Sequence, residues 1–160
     1  MPYRRSAKSE ALSGGMISGV IVAALLASIS FGGVLAATGR LEAVATLYGL
    51  EGHDWLVIIA HGFVGAVVFV AGLTRVANHR FAPAPIAVAL RSPFLGGWLG
   101  LAYGNICWLV IVAYGMPLWQ EAIGGYLPLP CQHGSSLMAF IGYGAVLGMC
   151  YPLVRTMIDD

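Results

Sequence analysis

The sequence predicts an all-α, polytopic membrane protein whose four transmembrane helices pack in a bundle. Of its 160 residues, 59% are apolar and 9% are charged, whereas soluble domains contain about 25% charged residues. The apolar residues fall in four segments of about 20 residues, the length that an α-helix needs to cross the hydrocarbon core of a bilayer. A chain of this size forms one domain, and we therefore expect a single membrane bundle.

The first span covers about residues 14–38 and follows a polar, basic stretch, residues 1–13, which we interpret as a cytoplasmic tail. This apolar segment is too long for the core of a signal peptide and lacks a clear cleavage site, so we expect it to be retained. Gly15 and Gly19 are four residues apart and form a small-residue ridge, which is typical of contacts between membrane helices.

The second span covers about residues 55–73 and contains one polar residue, His61. The linker that follows contains the run Ala82-Pro83-Ala84-Pro85. Proline lacks a backbone donor and restricts the residue before it. We therefore expect this run to resist helix formation.

The third span covers about residues 96–119, a stretch without a charged residue. Gly96, Gly100 and Gly104 follow one another at four-residue spacing, which leaves one helix face without side chains. Such a face lets a neighbouring backbone approach closely, and we predict that Gly100 packs against another helix. Asn105 directly follows this ridge and places a polar amide near the middle of the span.

The fourth span covers about residues 135–154, and Gly144 and Gly148 are again four residues apart. The segment before it, residues 120–134, is rich in Gly and Pro and is predicted to be an irregular loop. Residues 155–160 are predicted to form a cytoplasmic C-terminal tail.

The basic residues predict the orientation of the chain. Seven of the eight Lys and Arg residues lie in the two tails or in the linker between the second and third spans, and Arg40 alone lies on the other side. Cytoplasmic loops carry an excess of Lys and Arg. Both termini are therefore predicted to be cytoplasmic in a multi-pass protein of the cell membrane.

A weak internal similarity accompanies this arrangement. The motif G-x-x-x-G begins at Gly15 in the first span and at Gly96 in the third, while Gly-Ala-Val begins at Gly65 in the second and at Gly144 in the fourth. Parallel repeats of this kind occur in transporters. The sequence therefore allows a repeat of two helical hairpins, and glycine-rich helices also produce such matches by chance.

The glycine and aromatic pattern resembles a known family. The motif G-x-x-x-G-x-x-x-G-N-x-x-W-L, followed by Met-Pro-Leu and Gly-Tyr-Gly-Ala-Val-Leu-Gly, spans residues 96–109, 116–118 and 142–148. It is similar to four-helix membrane proteins of unknown activity that are common in haloarchaea and distantly YagU-like. The resemblance implies a fold and a membrane location. The family pattern includes a second histidine early in the last span, where this chain has Phe140.

Four polar side chains, one in each span, are predicted at similar depth: Ser28, His61, Asn105 and Tyr143. Polar groups in a membrane usually face the bundle and find partners there. We expect a buried polar layer that fixes the helix register, with Asn105 as the first partner of His61. A path for protons or small solutes, and a metal or haem ligand, are the alternatives for His61.

The sequence predicts no cofactor. Structural zinc needs four ligands, so the Cys131-x-His133 pair is insufficient, and a haem on His61 lacks a second axial ligand at the right depth. An outer metal site from His53, Asp54 and His133 is an alternative. Loop side chains of these types are more often solvated.

Composition and spacing also bear on the class of function. The net charge of +1 gives no indication of a nucleic-acid partner, and no Asp, Glu, Lys or Arg lies inside a predicted span. The second observation argues against a coupled ion pump. No nucleophile–base or carboxylate pair follows from spacing, so we predict that the protein is not an enzyme. A pocket for a neutral or apolar ligand is a further alternative, and the aromatic residues available to line it are Tyr103, Trp108, Tyr114, Trp119 and Tyr126. Trp119 and Tyr126 also suit an interfacial belt.

We therefore predict an accessory or scaffolding component of the membrane. Its predicted partners are the lipid bilayer and either further copies of itself or a larger membrane complex. The alternative is a small passive transporter or channel, and a haem- or metal-binding redox subunit is third.

Overall fold

The computed structural model describes residues 14–79, 84–131 and 133–159, and within these ranges it contains helices and no strand. The predicted N-terminal tail, residues 1–13, lies outside the described residues. The helices are α1 (Gly14–Ala37), α2 (Leu41–Thr46), α3 (Asp54–Ala77), α4 (Ala84–Ala89), α5 (Pro93–Cys107), α6 (Met116–Ala122) and α7 (Gly134–Asp159), and a π-helical segment, Trp108–Gly115, joins α5 to α6.

Four helical stretches are long and apolar enough to cross a bilayer, and the predicted all-α fold with four spans is confirmed. They comprise α1 and α3 with 24 residues each, the continuous stretch Pro93–Ala122 with 30 residues, and Gly134–Ile158 with 25 residues. At 1.5 Å per residue, even the 24-residue helices reach about 36 Å, more than the hydrocarbon core of about 30 Å.

Helix α7 is the centre of the bundle. It packs along both α1 and α5, and α3 packs against α1 and also contacts α7 through Tyr143. Helices α3 and α5 meet through side chains, since the rings of Phe69 and Tyr103 lie 5.0 Å apart. The core around α7 is built largely from alanine and aromatic residues.

The contact between α5 and α7 is a contact of backbones. A Cβ atom added to Gly96, Gly100 or Gly104 would overlap a carbonyl group of α7. The opposing carbonyls belong to Gly148, Gly144 and Phe140, respectively. The glycine ridge of α5 therefore packs within this chain, against the glycines of α7.

Pro152 belongs to the same contact. It lies inside α7 and is fully buried. Because proline has no N–H, the carbonyl of Gly148, four residues earlier, lacks its donor within the helix. That carbonyl faces Gly96, where the missing side chain leaves room for it.

Helix α1 offers small residues to both of its neighbours. Gly15 is buried, and Gly19 lies against the ring of Tyr151 on α7. On the other side, Gly32 lies against the ring of Trp55 on α3. Gly19 and Gly100 occupy matching positions in the predicted repeat, yet the first faces both the ring and the backbone carbonyl of Tyr151 and the second faces backbone alone, at closer range. The repeat stays a prediction.

The connections differ from the sequence-based expectations in one place. The Ala-Pro-Ala-Pro run was expected to resist helix formation, but α4 begins at Ala84 inside it. Pro85 falls in the first turn, where an N–H would have no partner in any case. The end of α1 follows a common pattern: Gly39 has a φ of 65°, and the amides of Gly39 and Arg40 bond back to Ala36 and Leu35.

The π-helical segment precedes Pro117. In an α-helix the ring of this proline would collide with the carbonyl of Ala113, and we attribute the wider winding of Trp108–Gly115 to that conflict. The amide of Cys131, in the loop before α7, donates a hydrogen bond of 2.9 Å to the carbonyl of Ala113. The loop is thereby fixed against the π-helical segment.

Candidate functional site

Hydroxyl groups from two helices bond to the backbone of α3. The hydroxyl of Tyr143 donates to the carbonyl of Gly62 at 2.6 Å, and that of Tyr103 donates to the carbonyl of Gly65 at 2.8 Å. Ser28 lies against Gly62 and donates to the carbonyl of Ala24 at 2.7 Å. A polar contact therefore joins α1, α3, α5 and α7, and it includes the predicted Ser28 and Tyr143.

His61 is not part of this buried contact, contrary to the predicted layer. Its side chain is exposed on the bundle surface. Its Nδ1 bonds to the carbonyl of Val57 at 2.8 Å, and its Nε2 lies 2.8 Å from the hydroxyl of Tyr48. Since a carbonyl only accepts, Nδ1 carries the hydrogen, and in the neutral ring Nε2 accepts from Tyr48. His61 thus ties the link after α2 to α3.

Asn105 is also exposed, and it does not contact His61 as predicted. Its amide nitrogen donates to the carbonyl of Leu101 at 2.9 Å. Its side-chain carbonyl has no partner among the residues that the structure describes.

One physical reason explains why neither His61 nor Asn105 faces the interior of the bundle. Successive residues of an α-helix point about 100° apart. Gly62 and Gly104 occupy the positions that face neighbouring helices. His61 and Asn105, each next to one of these glycines, are therefore turned away from the contact. The predicted polar layer was based only on the depth of the residues along the spans and did not take this rotation into account.

A cavity lies beside the π-helical segment. It has a volume of about 490 Å³ and sits between this segment, the loop before α7 and the first turn of α7. Its described lining residues are Trp108, Leu109, Ala113, Tyr114, Pro130, His133, Gly134 and Leu137. Ligand pockets typically have volumes of about 300–1,000 Å³ and mostly apolar walls, and this cavity, which is open to the surface of the bundle, has a volume in that range and mostly apolar walls.

Hydrogen bonds hold the two walls of the cavity together. The indole N–H of Trp108 donates to the hydroxyl of Ser136 at 3.0 Å, and that hydroxyl donates to the backbone carbonyl of His133 at 2.8 Å. Together with the bond from Cys131 to Ala113, this chain joins the π-helical segment to the start of α7 on two sides.

Two polar groups of the cavity remain unused. Neither the hydroxyl of Tyr114 nor the imidazole of His133 makes a hydrogen bond with the described part of the chain. Both side chains line the cavity, and both are only partly covered or exposed. They are therefore able to bond to a molecule that enters it.

The outer metal site considered as an alternative, from His53, Asp54 and His133, does not assemble among the described residues. No three His, Cys, Asp or Glu side chains among residues 14–79, 84–131 and 133–159 come together as a metal-binding group. Of the three free cysteines, Cys131 is buried, and Cys107 and Cys150 are partly covered.

The sequence indicated part of the cavity. Of the five aromatic residues considered for a pocket, Trp108 and Tyr114 line it. Tyr103 instead bonds to Gly65, and Trp119 and Tyr126 are exposed. His133 and the first turn of α7 were missed, because only the folded loop brings them beside Trp108. Pro117, a proline inside an apolar span, was the available signal for irregular winding there.

The fold and these contacts define an all-helical, four-span membrane protein with a partly polar cavity at one end of its bundle. No known protein family, curated protein or solved structure matches this chain. The resemblance to haloarchaeal four-helix proteins stays a prediction.

Proposed function

We propose that this protein is an accessory or scaffolding component of the membrane, which assembles with a further membrane helix through polar side chains on the outside of its bundle. The observation that carries this proposal is the exposed Asn105 within the third span. The proposal includes the orientation with both termini in the cytoplasm, and it assigns no catalytic role.

Asn105 supports the proposal because hydrocarbon offers its amide no partner. Its free side-chain carbonyl is costly in an apolar environment, and polar side chains in spans normally face other protein groups. Asparagine hydrogen-bonds across helices and favours their association. An amide is both donor and acceptor, so a second copy of Asn105 or a hydroxyl on another helix satisfies it.

The exposed pair of Tyr48 and His61 supports the same proposal on α3. The two rings lie 4.9 Å apart at an interplanar angle of 49° and bond to each other, so they form one continuous polar patch near the end of the span where α3 begins. A partner helix that carries a hydroxyl or an aromatic residue fits this patch.

Site-specific photocrosslinking in native membranes tests the proposal. A benzophenone amino acid replaces Leu101 in one variant and Ile106 in the matched control, so the amide of Asn105 stays in place in both. Leu101 is partly exposed one turn before Asn105 on the same face of α5, whereas Ile106 is 59% exposed on a different face of the same helix. We expect position 101 to crosslink to one protein species of defined mass and position 106 to give mainly lipid adducts.

The mass of the crosslinked species identifies the partner. A product of twice the chain mass indicates a homo-oligomer, and any other defined mass indicates a different membrane protein. Lipid adducts alone at both positions would contradict the scaffolding role. As a second readout, Asn105→Leu should lower the amount of the assembled species in mild detergent, whereas Ile106→Leu should not.

A further inference from the structure

We propose that the cavity beside the π-helical segment binds a neutral, amphipathic ring compound dissolved in the membrane. Its ring would lie against Trp108 and Tyr114, and an oxygen atom on the ring would bond to His133. This site is separate from Asn105 and from the Tyr48–His61 pair, so the proposal does not depend on the scaffolding role.

The walls of the cavity indicate that the compound contains a flat ring. Two of its described lining residues are aromatic, and Pro130, Leu109 and Leu137 add apolar surface. Aromatic side chains favour offset or edge-to-face contacts with other rings. A flat, apolar molecule therefore binds here with a more favourable free energy than a flexible chain, because the chain loses more conformational entropy on binding.

The polar groups of the cavity indicate that the compound is uncharged and carries an oxygen atom. Among the described lining residues none is Asp, Glu, Lys or Arg, so no fixed charge compensates a charged ligand. The imidazole of His133 both donates and accepts, and the hydroxyl of Tyr114 does the same. Because neither bonds to the described protein, a carbonyl or hydroxyl on the ring fits them.

The position of the cavity explains why the compound is amphipathic. His133 and Gly134 are at the start of α7, where this helix begins its span. Trp108 lies at the same level, since it bonds to Ser136. The cavity therefore lies where α7 enters the apolar layer, while the third span continues to Ala122, and a molecule with one apolar face and one polar atom is favoured there.

The π-helical segment gives this site a defined shape. Segments of this type are rare and are found frequently at functional sites. Here Trp108, Leu109, Ala113 and Tyr114 all belong to it. The bonds from Cys131 to Ala113 and from Trp108 to Ser136 keep its wall in place, so the cavity exists before a ligand arrives.

The test uses benzophenone, a neutral two-ring ketone that labels nearby residues under ultraviolet light. The full-length protein is placed in nanodiscs of dioleoylphosphatidylcholine, and the labelled peptides are mapped by mass spectrometry. We expect saturable labelling of residues that line the cavity. Diphenylmethanol should compete better than diphenylmethane, because only the former carries an oxygen.

Two variants with matched controls make the test specific. Gly134 has open space around its missing side chain, so Gly134→Leu fills the cavity without a clash, and Gly33→Leu is an equivalent change on the surface of α1. Gly134→Leu should abolish saturable labelling, and Gly33→Leu should retain it. His133→Phe should weaken binding about three- to tenfold, as expected for one hydrogen bond, whereas His53→Phe should have no effect.

The outcomes separate the parts of the proposal. Unsaturable labelling, or labelling spread equally over exposed helix faces, overturns the site. Equal competition by diphenylmethanol and diphenylmethane, together with unchanged binding in His133→Phe, overturns the role of the oxygen. Circular dichroism and gel filtration establish that each variant is folded before its labelling is compared.

Discussion

Gly62 is the residue at which three helices of the bundle meet. It belongs to α3, its carbonyl accepts the hydroxyl of Tyr143 from α7, and Ser28 of α1 occupies the space where a side chain would be. The polar contact inside this bundle therefore uses the backbone of α3 and not a side chain. A glycine in a membrane span provides both close packing and an accessible carbonyl.

The exposed histidine leads to a prediction about energetic coupling. Tyr48→Phe and His61→Leu should be non-additive, because each removes the same hydrogen bond. Such bonds in membrane proteins contribute about 0.6 kcal/mol on average. His61→Leu and Asn105→Leu should be additive within about 0.5 kcal/mol, because the residues have no shared partner.

The measurement is the free energy of unfolding of the single and double variants in mixed micelles. Tyr126→Phe is the control, since Tyr126 is 90% exposed in a loop and bonds to none of these residues. Strong coupling between positions 61 and 105 would contradict the structure and restore the predicted pair.

At the scale of elements, the contact of α5 with α7 predicts a strong dependence on side-chain size. Gly100→Ala should destabilise the bundle by about 1–3 kcal/mol, because its Cβ overlaps the carbonyl of Gly144 and the helices must separate. Gly33→Ala should cause no loss, since nothing lies near that position and alanine is the better helix former.

Thermal unfolding of both variants in detergent, followed by circular dichroism, measures this difference. Equal stability of Gly100→Ala and the parent protein would show that the two backbones are farther apart than described.

At the scale of the whole molecule, the proposed orientation predicts which side each connection faces. Val88→Cys in α4 and Tyr126→Cys in the loop before α7 are both at exposed positions. In a background without the native cysteines, a membrane-impermeant maleimide added to intact cells should label position 126 and leave position 88 unlabelled. The reverse pattern would invert the topology.

The four spans were predictable because length and hydropathy are local properties of the sequence. The glycine ridge of α5 also indicated a close helix contact, and the structure places α7 against it. The partners of His61 and Asn105 were not predictable from depth alone. Their direction depends on which neighbouring residue faces the bundle, and this follows from the packing of all four helices.

The cavity was even less accessible to sequence reasoning. It depends on the π-helical segment and on a loop that folds back to bond with Ala113. Neither feature follows from periodicity, since apolar residues fill the third span on all sides. Only the mid-span proline indicated that the winding changes there.

The backbone contact between α5 and α7 also determines how this bundle is able to move. Side chains adapt to a displacement by changing rotamers, but Gly96, Gly100, Gly144 and Gly148 have none to change. We therefore expect the two helices to move as a rigid pair. Side chains that are able to change rotamer meet at the interface of α1 with α7, where the rings of Phe31 and Phe140 pack edge to face, and we expect small adjustments of the bundle to occur there.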